Sequence, residues 1–119
     1  MSMSLPMSTD LPCPVCGFET FEENYGSYSI CVVCDWEDDG VQLANPCSKG
    51  GANGKSLSDA QEIALKKYPI SVDICHGVKR GTSWRPLSAE EKKKYFSETA
   101  EEPWPNKAVL YEYEAYWNT

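Results

Sequence analysis

Two Cys-x-x-Cys pairs, Cys13/Cys16 and Cys31/Cys34, stand fourteen residues apart near the start of the chain and restrict its fold more than any other stretch. Each pair can wrap a tight turn around one ion and offer two sulfurs from one side, while the residues between run out and back as a hairpin. The spacing predicts a tetrahedral site in which Cys13, Cys16, Cys31 and Cys34 hold one metal ion, zinc before iron. In CPVCG, Pro14 pre-sets the turn and Gly17 tolerates positive φ, so backbone amides can point at sulfur. Two disulfides or four buried free thiols account for the doublets less well.

At 119 residues the chain reads as a small single α+β domain: an N-terminal four-cysteine zinc-knuckle β-hairpin of zinc-ribbon or rubredoxin type, plus two helices and short strands. The expected division is a disordered tail over 1–10 and one domain over 11–119, with the knuckle hairpin in 11–45 and the helical and strand part in 56–119. Mean hydropathy is −0.50 and no long apolar run is present, which speaks against a membrane span. MSMSLPMSTD has neither a basic start nor an apolar core, so no secretory leader is expected and a cytoplasmic site is. A reducing compartment keeps thiols available as ligands.

Charge bears on partners. The formal net charge is −7, and four ionised thiols around one divalent ion bring it to about −9. Such a surface repels DNA and RNA at long range, so nucleic-acid binding loses weight and a basic protein partner gains it. Acidity is equally an ordinary device for solubility.

Between the pairs, Phe18, Phe21, Tyr25, Tyr28 and Ile30 punctuate polar residues and Asn24-Tyr25-Gly26-Ser27 carries turn chemistry, predicting a short β-hairpin there. The second pair runs into Asp35-Trp36-Glu37-Asp38-Asp39. Carboxylates crowded beside a thiolate-bound ion predict a run facing water or a cationic partner. Asp35, Trp36, Glu37, Asp38 and Asp39 are therefore candidate partner-binding residues, with Trp36 either a lid on the metal site or an exposed anchor.

CPVCG, then YSICVVCDWEDDGVQ over 28–42, then Asn45-Pro46, then GGANGKSLSDAQ over 50–61, together resemble the bacterial CPCC family of small cysteine-rich proteins, over about residues 13 to 64. Where the family's name implies a third cysteine, this chain has Val15. The resemblance implies a zinc-binding module often found near toxin and immunity genes, and it implies no particular catalysis.

Other motifs fall away on inspection. Pro12 to Cys16 reads as half of a zinc deaminase, but the one histidine, His76, lies downstream and lacks the required H-x-E context. GGANGKS lacks the P-loop's first glycine, Lys49 standing in its place, so a linker or a loop folding back on the zinc hairpin is expected. Cys47 reads as a free thiol, and Cys75-His76 supplies too few ligands for a second metal.

Ser58 and Gln61 form a capping box and predict a helix with Leu57, Ala60, Ile63, Ala64 and Tyr68 facing the core, ended by Pro69. Ile70, Val72 and Ile74 alternate as a half-buried strand. GVKRGTSWR, 77–85, reads as a solvated basic connection. Ser88 and Glu91 cap a second helix through about Thr99, with Tyr95 and Phe96 inward. Glu101 to Pro105 breaks the chain before VLYEYEAYW, 109–117, read as a strand with helix as the competitor, and as either a closing piece of the core or a binding edge.

A zinc held by four cysteines has no place for water, so a structural ion and a non-enzyme are expected. The leading reading is a protein-binding module, in its concrete form an immunity or antitoxin protein that neutralises a basic toxin such as a nuclease. The alternatives are a rubredoxin-like iron redox protein and a zinc-ribbon regulator.

Overall fold

The computed structural model describes residues 11–22, 24–101 and 107–118; the expected tail over 1–10 and the break at 102–105 lie outside them. Within the described residues the chain is α+β, with two small antiparallel sheets and three helices.

The first Cys-x-x-Cys is itself the turn of a hairpin. Strand β1, Leu11–Pro12, pairs with β2, Glu19–Phe21, and the amide of Cys13 donates to the carbonyl of Phe18 at 2.8 Å. The second pair repeats the device: Cys31 N–H donates to Trp36 O at 2.9 Å, and Ile30 bridges Glu37. The hairpin predicted between the pairs is therefore replaced by one hairpin around each. The reason is economy of backbone bonds, since a knuckle that reverses the chain already brings its own flanks together. The segment between carries turns instead, with Gly26 and Tyr28 at φ 84° and 63°.

The two knuckles are related by an eighteen-residue shift, pairing Cys13 with Cys31, Cys16 with Cys34, Gly17 with Asp35 and Phe18 with Trp36. Gly17 N–H donates to Cys13 O at 2.7 Å and Asp35 N–H to Cys31 O at 2.9 Å, and both residues are left-handed, at φ 80° and 66°. Glycine is free there; aspartate is one of the few others that tolerates it. A side chain at Gly17 would also collide with the Trp84 ring.

A third helix that the sequence reading lacks, α1 at Gly40–Ala44, begins where Asp39 caps it by accepting from Val41 N–H and Gln42 N–H. Helix α2, Leu57–Lys67, is capped two residues earlier than predicted, by Ser56 in place of Ser58, and Ser56 accepts from Asp59 N–H at 3.1 Å. Ser58 lies inside the helix and is buried. Leu57 and Ala64 of the predicted stripe are buried, but Ile63 is 53% exposed, since it opens onto a surface cleft. The predicted strand over 70–74 shrinks to β3, Ile74–Cys75, paired with β4, Val78–Lys79, around a turn in which His76 and Gly77 both have positive φ. Ile70 and Ile74 face outward, leaving Val72, Cys75 and Val78 against the core.

Helix α3, Ala89–Glu101, keeps both bonds of its predicted capping box: Glu91 N–H to Ser88 Oγ at 3.1 Å and Ser88 N–H to Glu91 Oε1 at 2.9 Å. Tyr95 is half-buried as expected, whereas Phe96 is 69% exposed. The C-terminal stretch forms two 3-10 turns, Glu112–Glu114 and Tyr116–Asn118, in place of a strand. Glu114 explains the difference: its carboxylate folds back to accept from Leu110 and Tyr111 N–H, holding the chain in turns. Ala115, Tyr116 and Trp117 close the core, while Tyr111 and Tyr113 stack on each other at the surface, 5.7 Å apart.

Candidate metal centre

The two knuckles bring the four predicted cysteines together. Their Sγ atoms all lie within 4.8 Å of one another, with Cys13 to Cys34 at 3.6 Å and Cys16 to Cys31 at 3.7 Å. A tetrahedron of sulfurs each ~2.3 Å from a central ion has edges of ~3.8 Å, so the donor set fits a four-coordinate ion in size and in chemistry. Among the described residues this is the only such cluster of three or more cysteine, histidine or acidic side chains. Cys13, Cys16 and Cys31 are buried and Cys34 is half-buried. All six cysteines are free of disulfides.

The sulfurs are also electrostatically arranged. Burial pushes the Cys13 thiol well up, while hydrogen bonds from Cys13, Cys16 and Cys34 pull Cys31 far down. The Thr20 hydroxyl adds a donor at 3.1 Å and Val33 N–H another at 3.4 Å, so the amide-to-sulfur bond expected of a knuckle is present at the second one. Four thiolates this close would repel one another, and a cation at their centre would offset that repulsion.

Each knuckle is fixed by its own set of donors. Around the first, Pro14 O accepts from Gln61 Nε2 and Trp84 Nε1, and Pro12 O accepts from the Tyr25 hydroxyl at 2.6 Å. Arg80 Nε donates to Cys16 O at 2.9 Å, and its other nitrogens reach the carbonyls of Tyr68, Pro69 and Val72. That guanidinium lies 4.4 Å over the Phe18 ring and is buried. Arg80 and Trp84, read in the sequence as a solvated loop, are thus structural parts of the site. A basic residue between Val78 and Trp84 was the available signal, but no local pattern distinguishes a carbonyl clamp from an exposed charge.

The acidic run is not the open face that the sequence suggested. Asp35 is exposed and Glu37 half-buried, but Trp36, Asp38 and Asp39 are buried. Asp38 accepts from the backbone and hydroxyl of Ser27, and Asp39 accepts from Val41, Gln42 and Ala52 N–H. These carboxylates organise loops, which a count of charges does not reveal. The expected fold-back of 50–56 is present: the Asn53 side chain pairs with both backbone groups of Glu37, and the Gln42 amide reaches the carbonyls of Ser48, Asn53 and Lys55. Cys47 is a half-buried thiol whose Sγ lies 3.6 Å from Lys92 O, and burial raises it.

No helix among the described residues is long and apolar enough to cross a membrane. No curated protein matches the chain. Residues 11–68 match the family described as cysteine-rich CPCC, a span that contains both knuckles, α1 and α2. That segment, with Val15 standing inside the first knuckle, is the part of the chain that the cysteine-rich CPCC family describes.

Proposed function

We propose that the four sulfurs hold one zinc ion as a structural clamp and that the chain is a non-enzymatic protein-binding module. The observation that carries the first half is the packing of Cys13, Cys16, Cys31 and Cys34 within 4.8 Å. Four sulfurs fill a tetrahedral ion's coordination and leave no position for water, which supports a scaffold over a reagent. Both knuckles tie into the hydrophobic core, so the ion's binding energy is folding energy.

The second half is supported by the charge of −7, which disfavours nucleic acid and favours a basic protein surface. The immunity or antitoxin form of this reading keeps that support only, because Asp38 and Asp39 are spent inside the fold. Elemental analysis of protein made in metal-replete cells tests the clamp: one zinc per chain and a colourless solution are expected. A red protein with visible absorption would replace zinc by iron and favour the redox alternative. Absence of any stoichiometric ion would end the proposal. Affinity purification of the full chain from its native host, followed by a reconstituted binding assay, tests the module. Recovery of nucleic acid bound with a steep salt dependence would favour the regulator instead.

A further inference from the structure

A cleft of about 730 Å³ opens beside the metal centre, between the second knuckle, the loop 52–55 and one face of α2. Cys34, the one ligand cysteine that is not fully buried, lines it. Its floor is apolar, made by Val15, Val33, Trp36 and Ala64, with Ile63 at the lip. From α2 it takes Ala60, Ile63, Ala64 and Lys67, positions that share a single helix face.

The cleft walls carry opposite charges that do not meet. Asp35 and Glu37 stand on the knuckle side, and Lys55 and Lys67 on the loop and helix side. The ion pairs among the described residues involve other side chains, so none of these four charges is neutralised by an opposite one, although the Lys67 ammonium also lies 5.5 Å over the Tyr68 ring. Trp36 adds an unused donor: its indole Nε1–H is buried and has no acceptor. A buried donor without a partner is uncommon and calls for an explanation.

We infer that this cleft is a peptide-docking site, and that its occupant is an extended segment of a partner protein carrying an apolar side chain between a basic and an acidic residue. The inference rests on the protein-binding reading above and names its face. The apolar side chain covers Val33, Ala64 and Ile63. The basic residue meets Asp35 and Glu37, and the acidic residue meets Lys67 or Lys55. From Ala60 to Lys67 the helix face is about 10 Å long, the reach of about three extended residues. Charge of both signs also explains why a strongly acidic chain need not select a simply basic partner. Of the run 35–39, Asp35, Trp36 and Glu37 line this face and Asp38 and Asp39 do not.

The test pans the full-length, metal-loaded protein against a displayed library of random heptapeptides and measures the enriched sequences as synthetic peptides. Enrichment of a basic, apolar, acidic pattern is expected. Ile63→Glu and Lys67→Glu, both at exposed positions, should each weaken binding tenfold or more while metal content and circular dichroism stay unchanged. Asp35→Asn keeps a residue that tolerates the left-handed backbone and should selectively weaken peptides that depend on their basic residue. Phe96→Glu, on α3 and away from the cleft, should leave binding as it was. Binding that survives both cleft variants, follows Phe96→Glu, or selects one sign of charge alone overturns the inference, as does a failure to enrich any sequence. In each of those cases a partner reconstituted from the host purification would leave the broader protein-binding reading standing, and only its failure too would remove both.

Discussion

Arg80 shows how much a single side chain settles in this protein. Its guanidinium joins the carbonyls of Cys16, Tyr68, Pro69 and Val72, and so ties the first knuckle to the end of α2 and the turn after it. Lysine has neither the planar fork nor the donor count to replace it. Arg80→Lys is expected to lower stability by about 2–4 kcal/mol, read as a shift in the urea midpoint, since it leaves buried carbonyls without donors. Gly17→Ala should cost at least as much, because it combines a left-handed backbone with a collision against Trp84. Its counterpart offers the control: Asp35→Gly should be neutral or stabilising by up to about 1 kcal/mol. The cysteines and the αL glycine were legible in the sequence because their chemistry is written in short spacing. Arg80, Gln61 and Asn53 were not, because their partners lie far along the chain or on backbone atoms that every residue shares.

At the scale of elements, capping chemistry was the most readable signal. Ser88 and Glu91 cap α3 as the sequence implied, and Arg85 reinforces the cap by meeting Glu91 at 2.7 Å. The Arg85 guanidinium holds the Glu91 carboxyl down at about 2, from an ordinary value of 4.5. A carboxylate depressed on folding stabilises above its unfolded value and loses that contribution as pH falls from 4.5 towards 2. Glu91→Gln should therefore flatten the stability profile across that window, by no more than about 1 kcal/mol for a pair so near solvent. The terminal stretch was less readable: its alternating aromatics match a strand, yet Glu114 satisfies two of its own upstream amides and turns win. The knuckles differ in support as well. Gln61, Arg80 and Trp84 hold backbone carbonyls of the first from a distance, whereas the second is held through Asn53, the Thr20 hydroxyl on Cys31 Sγ and a long bond from Tyr68. Hydrogen exchange after chelation should rise first at 31–37 and later at 13–18; the reverse order would show that the remote donors contribute little.

For the molecule as a whole, the four sulfurs and the hydrophobic core form one unit. Cys13, Cys16 and Cys31 belong to the same buried cluster as Leu57, Trp84, Tyr116 and Trp117. Cys31→Ser should therefore abolish stoichiometric metal and the cooperative thermal transition together, and a folded, metal-free variant would contradict the clamp. The small α+β class was legible from length and from the four-cysteine frame. Its closing contacts were not, because the aromatics that complete the core come from the far end of the chain.

Pro14 O is the feature with the longest reach. It takes one hydrogen bond from Gln61, within the family segment, and one from Trp84, beyond it. A transplant of residues 11–68 into another scaffold would carry the sulfurs intact yet leave this oxygen half served and the Cys16 carbonyl without Arg80. Any host for the graft must bring an indole or guanidinium of its own to that spot, which makes the region after residue 68 the keystone of the arch it appears merely to follow.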